Sequence, residues 1–551
     1  PKYRFNWNST FTASVHNKQK LFLGCQYVFV SYDKVESWKK ISPDLTTNNP
    51  KYQQQENSGG VTADNSAAEN YCTIYFIAES PIDSNIIWAG TDDGNIQITK
   101  DGGKTWNNLA ANLKDVPKEP WVSSIEAGHF DKGTAYVTLD YHNWGNMNSY
   151  VMKTADYGTT WTKISNDTIK GYCHIVREDL KNANLLFVGS EFGLFISIDA
   201  GKNWAQMNSN NNIPNVAVRD IVIHPRDNEV ILATHGRGIM IIDELGLSIL
   251  RDLNSSTLQN KFTLFKSGDY TIPLGGFDFG YQSADEFTGA NPNGDAVVAY
   301  YLKDRQLVGE LKVEVLDKDG KVINSAPAGK HKGVNIVSLP INRKPAKVPP
   351  APRIAGAAVI GPAITEGSYQ VRIVRGKDTV MTKINVKQEK NSPYTTEDRK
   401  IRLDALMENY NMLNDFAYTV DCITTMRDDA KKISASLAAG DKLKKSLDLF
   451  VHDLDTLHQF LVFTKEGAIV SENSNRLREN LADNFGTLNG YEGRPNNSTL
   501  DRIPTLKTEM ADAEKKYDAI IKKYLPKINP ELKKKNQPEL VRKSRADFDK
   551  V

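Results

Sequence analysis

A chain of 551 residues is too long for one hydrophobic core and should divide into about three domains. Its 69 lysines and arginines nearly cancel 67 aspartates and glutamates, leaving +2, a balance that points to neither nucleic acid nor a membrane surface as partner. Because no apolar run approaches the roughly 18 residues needed to cross a bilayer, no transmembrane segment is expected.

In chain order, residues 1–45 read as short alternating strands at 11–15, 21–24 and 27–30, closed by the turn Ser31-Tyr32-Asp33-Lys34-Val35-Glu36-Ser37-Trp38. The same eight-residue pattern returns more cleanly at Thr99 to Trp106, Thr154 to Trp161 and Ser197 to Trp204. Trp-to-Trp spacings of 68, 55 and 43 residues converge on one repeat per propeller blade, for which about 40 to 50 residues is usual. A polar insertion over 46–69 accounts for the long first spacing. In each turn the aspartate (Asp33, Asp101, Asp156, Asp199) can accept bonds from turn amides, and the tryptophan (Trp38, Trp106, Trp161, Trp204) can plug the gap to the neighbouring sheet. Further units span 71–110, 122–164, 172–207 and 216–243. The last ends at Ile242-Asp243 without turn or tryptophan, so its outer strand is expected to come from an upstream segment. Starting at Pro1 in strand-like sequence, the chain reads as a mature or cleaved one, and its five units could close a small ring.

Ser/Thr-x-Asp-x-Gly-x-Thr-Trp resembles the Asp-box (BNR) signature of sialidases, some xyloglucan-cleaving glycoside hydrolases and sortilin-like VPS10 propellers. Longer phrases, Ser42-Pro43-Asp44-Leu45, Trp88 to Gly94, Val176-Arg177-Glu178-Asp179 and Ala233-Thr234-His235-Gly236-Arg237-Gly238, resemble a bacterial group of large VPS10/sortilin-like secreted proteins often labelled glycosyl hydrolases. The resemblance covers about residues 1–390. It implies instead an extracytoplasmic propeller larger than five blades, one that lacks its N-terminal half here, and carries no settled reaction.

The remainder predicts a mainly β chain with an α C-terminal part. After propeller blades over 1–246 comes an irregular linker, 247–290, with Gly275 to Gly280 at its centre. An immunoglobulin- or fibronectin-like β-sandwich over 291–392 follows, interrupted by the proline-rich loop 340–362. Apolar residues at helical spacing then give a helical domain over 393–530, opened by a capping signal at Thr395, and a basic, solvated tail over 531–551.

Four cysteines, Cys25, Cys72, Cys173 and Cys422, form neither a CxxC pair nor a zinc-like cluster, so buried free thiols and no metal centre are expected, with a Cys25–Cys72 bridge left open. Calcium on Asp92 and Asp93 would suit hard oxygen ligands, but no EF-hand spacing exists, and no other cofactor is implied. Loops joining second to third strands share one propeller face, and they carry the candidate catalytic carboxyls Asp92, Asp93, Asp140 and Glu191. Trp121, Tyr141, His142, Trp144, Tyr172, His235 and Arg237 are candidate ligand-binding residues around the same channel mouth, with His174 and Arg219 nearby. Only Arg177, Arg219 and Arg237 are placed to form a sialidase-type arginine cluster, and Arg177 sits toward the wrong end of its strand, which disfavours that chemistry. Three functions remain: binding a protein, peptide or glycan on the channel face, glycoside hydrolysis by a carboxyl pair, or a structural role in an envelope assembly.

Overall fold

A computed structural model describes residues 2–57, 68–208, 213–266, 268–272, 296–352, 356–464 and 476–550. The chain forms two compact units, Pro1–Lys266 with Tyr301–Asp304, and Ser267–Tyr300 with Arg305–Val551.

The first unit is a succession of antiparallel sheets, each with its strands in chain order. Phe11–Ala13, Leu21–Gly24, Val28–Ser31 and Lys39–Lys40 make the first blade; Ile74–Glu79, Ile87–Thr91, Ile96–Thr99 and Asn107–Asn108 the second. Trp121–Ala127, Ala135–Tyr141, Asn146–Thr154 and Thr162–Lys163 form the third, and Cys173–Glu178, Leu186–Ser190, Gly193–Ser197 and Ala205–Met207 the fourth. The fifth has three strands, Val218–His224, Glu229–Thr234 and Ile239–Ile242. No upstream strand completes it among the described residues. The chain turns instead into the helix Glu244–Asp252, capped by Asp243, and that helix is tied to blade four by Arg251, whose Nη2 lies 2.8 Å from the sealed carboxylate of Asp179.

The repeated turns behave as small hydrogen-bonded knots. Asp101 accepts from the Thr105 N–H at 2.9 Å, the Thr105 hydroxyl at 2.7 Å and the Thr99 hydroxyl at 2.8 Å. Asp156 and Asp199 repeat the arrangement, and Asp33 keeps it with Ser37 despite its degenerate sequence. Bonds from Ser37 hold the Asp33 carboxyl down at about 2, and the other three also lie below the usual carboxylate range. Three indoles cross to the preceding blade: Trp106 Nε1 donates to Ile41 O at 3.1 Å, Trp204 Nε1 to Ile164 O at 2.7 Å, and Trp161 packs edge-on against Trp88. Trp38 departs from this expectation. Lying on the first sheet, it rests half-buried beside Phe11 of its own blade.

Close approach of blades is set by glycine at the end of the second strand. A Cβ on Gly90 would stand 2.5 Å from Val122 Cγ1, and one on Gly189 would stand 2.4 Å from the Val218 carbonyl oxygen. Side chains there would force the next blade's innermost strand outward.

In the second unit, Tyr270–Ile272, Asp378–Gln388, Gly367–Arg375, Leu311–Leu316 and Val322–Pro327 form a five-stranded sheet in that order, with only the first pairing parallel. Val297–Leu302 pairs with Gly333–Ser338 in a separate sheet. The stretch expected to be an irregular linker holds the helix Ser255–Gln259 as well as that starting at Glu244, and Gly275 to Gly280 lie outside the described residues. Helices Thr396–Ala435, Lys442–Leu461, Leu477–Asn489 and Asn497–Lys534 bury Phe416, Phe450, Phe485 and Tyr517 in one core. Thr395 and Asp398 form the expected cap as a reciprocal capping box. Two expectations are corrected here. The proline-rich loop is built into the helical core through Ala358 and a bond from Arg478 Nε to Pro349 O at 2.7 Å. The basic tail is packed rather than frayed, because Leu540 and Phe548 are buried and Tyr418 donates to Lys543 O at 2.8 Å. All four cysteines are buried and free, so the Cys25–Cys72 bridge is not made. No helix among the described residues is long and apolar enough to cross a membrane.

Replacing Trp204, which is buried and bonded across blades, by alanine should cost about 3–5 kcal/mol in chemical denaturation of the first unit. Trp38→Ala should cost less than half as much, since it rivets no second sheet.

Candidate ligand channel

The innermost strands of the five blades surround a cavity of about 1050 Å³. In blades two to five the pairing of the innermost strand with the second strand slips by one residue at the same level, between Ile74 and Phe76, Val122 and Ser124, Cys173 and Ile175, and Val218 and Asp220. The extra residues are Tyr75, Ser123, His174 and Arg219. Each is the outlier of a β-bulge, a device that re-aims a side chain, and all four line the cavity.

Around them the mouth is aromatic and charged. Tyr75 meets Trp121 edge-on at 5.1 Å, and Tyr172 stacks on the His142 ring at 4.4 Å while its edge faces His174 at 4.9 Å. Asp140 lies 2.8 Å from His142 Nδ1 and also accepts from the His142 backbone N–H. His174 Nε2 stands 3.0 Å from Glu191 Oε2, and Arg219 Nη1 lies 3.4 Å from His174 Nδ1. A guanidinium can only donate, so Nδ1 is the acceptor and the imidazole proton sits on Nε2, facing Glu191. Burial, together with Arg219, keeps His174 below its usual pKa and therefore neutral. Burial acts to raise Glu191, but bonds from His174 and Tyr172 outweigh it and hold that carboxyl low. The Tyr172 phenol is pushed up to about 12 by burial and by Glu191.

The far end of the cavity carries a second set of carboxyls that act as clamps. Glu79 reaches back to blade one, accepting from Ser14 and Val15 with Lys20 Nζ at 2.9 Å. Glu178 likewise accepts from the His129 N–H of blade three at 2.6 Å and the Tyr136 hydroxyl at 2.9 Å. Burial raises Glu178 despite these bonds. Glu126 is shared by His129 at 3.0 Å and Arg177 at 3.2 Å, and Arg177 lies over the Phe76 ring.

Of the residues singled out from sequence, Asp140, His142, Trp121 and His235 line the cavity, and Tyr172 and Glu191 bond or stack onto residues that do. Asp92 and Asp93 do not. They are 0% and 2% exposed. Asp92 accepts from the Thr73 N–H at 2.8 Å, its hydroxyl at 2.6 Å and Asn6 at 3.2 Å, and Asp93 accepts from the Thr47 N–H at 2.8 Å and its hydroxyl at 2.6 Å. Together they fasten the 46–73 stretch to the second blade. Tyr141 is buried against Tyr150, with its hydroxyl donating to Pro117 O, and Trp144 is 54% exposed on the short turn His142–Trp144. His235 and Arg237 are exposed, and the lock on the last blade is made by the His235 N–H to Ala217 O at 2.9 Å. Among the described residues no three His, Cys, Asp or Glu side chains come together closely enough to hold a metal. Sequence reading missed Tyr75 and Ser123. For Tyr75 the signal is Gly90 opposite the bulge; Ser123 faces Thr138 and Leu139 and has no such mark.

No protein-family model matches the chain, and no curated protein matches it in sequence. Among solved structures it is similar to the GH74 xyloglucanase from Xanthomonas campestris, at 18% identity over 43% of this chain and 36% of that one, with a TM-score of 0.33. It is also similar to YCF48 bound to D1 peptide, at 13% identity over 48% of this chain and 78% of that one, TM-score 0.29. A GH74 enzyme from Niastella koreensis follows at 14% identity over 69% and 56%, TM-score 0.30. The chain spans little more than a third of the xyloglucanase's length.

Burial pushes the Asp92 carboxyl up to about 7, against the lowering effect of its bonds from Thr73. A carboxyl protonated more readily in the folded than the unfolded state stabilises the fold most at low pH, and that contribution is lost as pH rises from about 4 through 7. Thermal unfolding of wild type should therefore show a fall over that window which Asp92→Asn flattens, measured as Tm against pH.

Proposed function

We propose that the bladed unit is a ligand-binding module that admits a segment of protein, peptide or glycan to its channel mouth and does not cleave it. The observation that carries this reading is the convergence of four bulged side chains, with Trp121, on one cavity, behind which Tyr172 stacks on His142. The cavity volume of about 1050 Å³ lies at the upper end of the range of ligand pockets, about 300 to 1,000 Å³, and gives room for several residues or sugar units. Resemblance of the repeated turns to those of secreted sortilin-like propellers supports an extracytoplasmic location. Association of the whole chain with an envelope complex is compatible with such a module.

A glycosidase needs one carboxyl held protonated beside an ionised partner. At the mouth, Glu191 is held below its ordinary range by His174 and Tyr172. Carboxyls raised by burial are Asp92, which is sealed, and Glu178, which clamps blades three and four. Neither is placed to protonate a leaving group at the mouth. Hydrolysis remains the second reading because Asp140 and Glu191 both stand beside the Tyr172–His174 pair.

Screening glycan and peptide arrays with the wild-type chain, then measuring affinity by calorimetry, tests the proposal. Trp121→Ala and Tyr172→Ala should each weaken the captured ligand about tenfold or more, in keeping with loss of a stacking aromatic, and Tyr172→Ala, which removes a buried ring, should also lower Tm. Unchanged affinity in both variants would remove the channel from consideration. Turnover of a polysaccharide by wild type that is abolished in Asp140→Asn or Glu191→Gln would establish hydrolysis instead.

A further inference from the structure

We infer that the ligand of this channel is a cationic polypeptide segment, one that presents lysine or arginine side chains to the mouth. The inference rests on the channel being the binding site and adds the sign of the charge it selects.

Five carboxylates line the cavity, Glu79, Glu126, Asp140, Glu178 and Asp220, against two guanidiniums, Arg177 and Arg219. Those two cations are already engaged. Arg177 is shared by Glu126 at 3.2 Å and Asp220 at 3.4 Å, while Arg219 sits 3.7 Å from a sixth carboxylate, Glu191. Lys20 neutralises Glu79 from behind. Two carboxylates are left without a lysine or arginine among the described residues: Glu178, deep and held by an amide and a phenol, and Asp140, at the mouth with only His142. Of the ring nitrogens that could offset them, those of His174 are committed to Glu191 and Arg219 in the neutral tautomer.

A cleft walled by low-dielectric sheet edges and carrying one sign of charge in excess concentrates counter-charged ligands. Beside Asp140, the rings of Trp121 and Tyr75, both lining the cavity, supply the faces that attract an ammonium or guanidinium group. A carboxylate ligand entering the mouth would meet Asp140 and Glu191, with Arg219 already paired to Glu191. A neutral glycan could stack, but would leave the excess charge unanswered. Lysine and arginine satisfy the aromatic wall and the Asp140 carboxylate at once.

Calorimetric titration of the full chain with three probes of equal length decides the matter: a Lys/Arg-rich decapeptide, its Glu-substituted counterpart, and a neutral oligosaccharide. The basic peptide should bind, weaken as NaCl is raised from 0.05 to 0.5 M, as screening requires, and lose about tenfold in affinity in Asp140→Asn. Asp220→Asn, altering a largely exposed group, should lose less and guards against a folding defect at Asp140. Binding of the oligosaccharide or the acidic peptide instead, abolished by Trp121→Ala, would overturn the charge assignment and leave the channel as the binding site. A basic peptide that binds both Asp variants as tightly as wild type, or fails to bind wild type at all, would also overturn it.

Discussion

One surplus residue in the innermost strand of four successive blades decides where the chemistry of this molecule points. A regular strand sends alternate side chains into the sheet-to-sheet packing on either side, and none toward the axis around which the blades are set. The slip at Tyr75, Ser123, His174 and Arg219 breaks that alternation at one level. Without it, His174 and Arg219 would be buried between blades, where an imidazole and a guanidinium have no partners to justify their desolvation. The glycines at the end of the second strand in blades two and four let the next blade's inner strand come close at this level, since a Cβ on Gly90 would meet Val122 and one on Gly189 the Val218 carbonyl oxygen.

Legibility in the sequence follows the range of the interaction. The aspartate turns could be read because every bond that closes them joins residues at most four apart, as between Asp101 and Thr105. Their role as rivets required one more fact, the presence of a preceding sheet, and Trp38 shows what happens where none stands against it. The bulges could not be read. An extra residue in a strand that is apolar throughout, such as Ile74 to Ala78, leaves hydrophobic periodicity nearly unchanged. Asp92 and Asp93 misled for the converse reason. An Asp-Asp-Gly turn at a channel-facing loop has the composition of a site, while the partners that seal it, Thr73 and Thr47, lie 19 and 46 residues away. In the second unit, the helix Leu477–Asn489 and the burial of Phe548 are likewise tertiary facts, set by surfaces remote in sequence.

The two ends of the cavity use the same residue types for different ends. Glu79 and Glu178 bond backwards to the preceding blade, so their carboxylates clamp one sheet to the next. Glu178 illustrates the cost: its carboxyl is raised because an amide and a phenol do not fully replace the water it has lost. At the mouth, bonds run sideways instead, among His142, Tyr172, His174 and Glu191, and hold rings rather than blades. A network of this kind orients aromatic faces without sealing them, which is what a binding surface requires of its supports.

Charge at the mouth then follows from geometry and not from the composition of the chain, whose net charge is only +2. Bringing like charges to one axis raises the energy of the fold, and a chain selected for stability alone would place an amide at Asp140, whose bonds run to His142 of its own blade. Arg177 and Arg219 offset part of that repulsion, and their positions on adjacent inner strands explain why the excess is greatest between them and blade three. What is left over is a field with a preferred sign at the place where the aromatic rings converge.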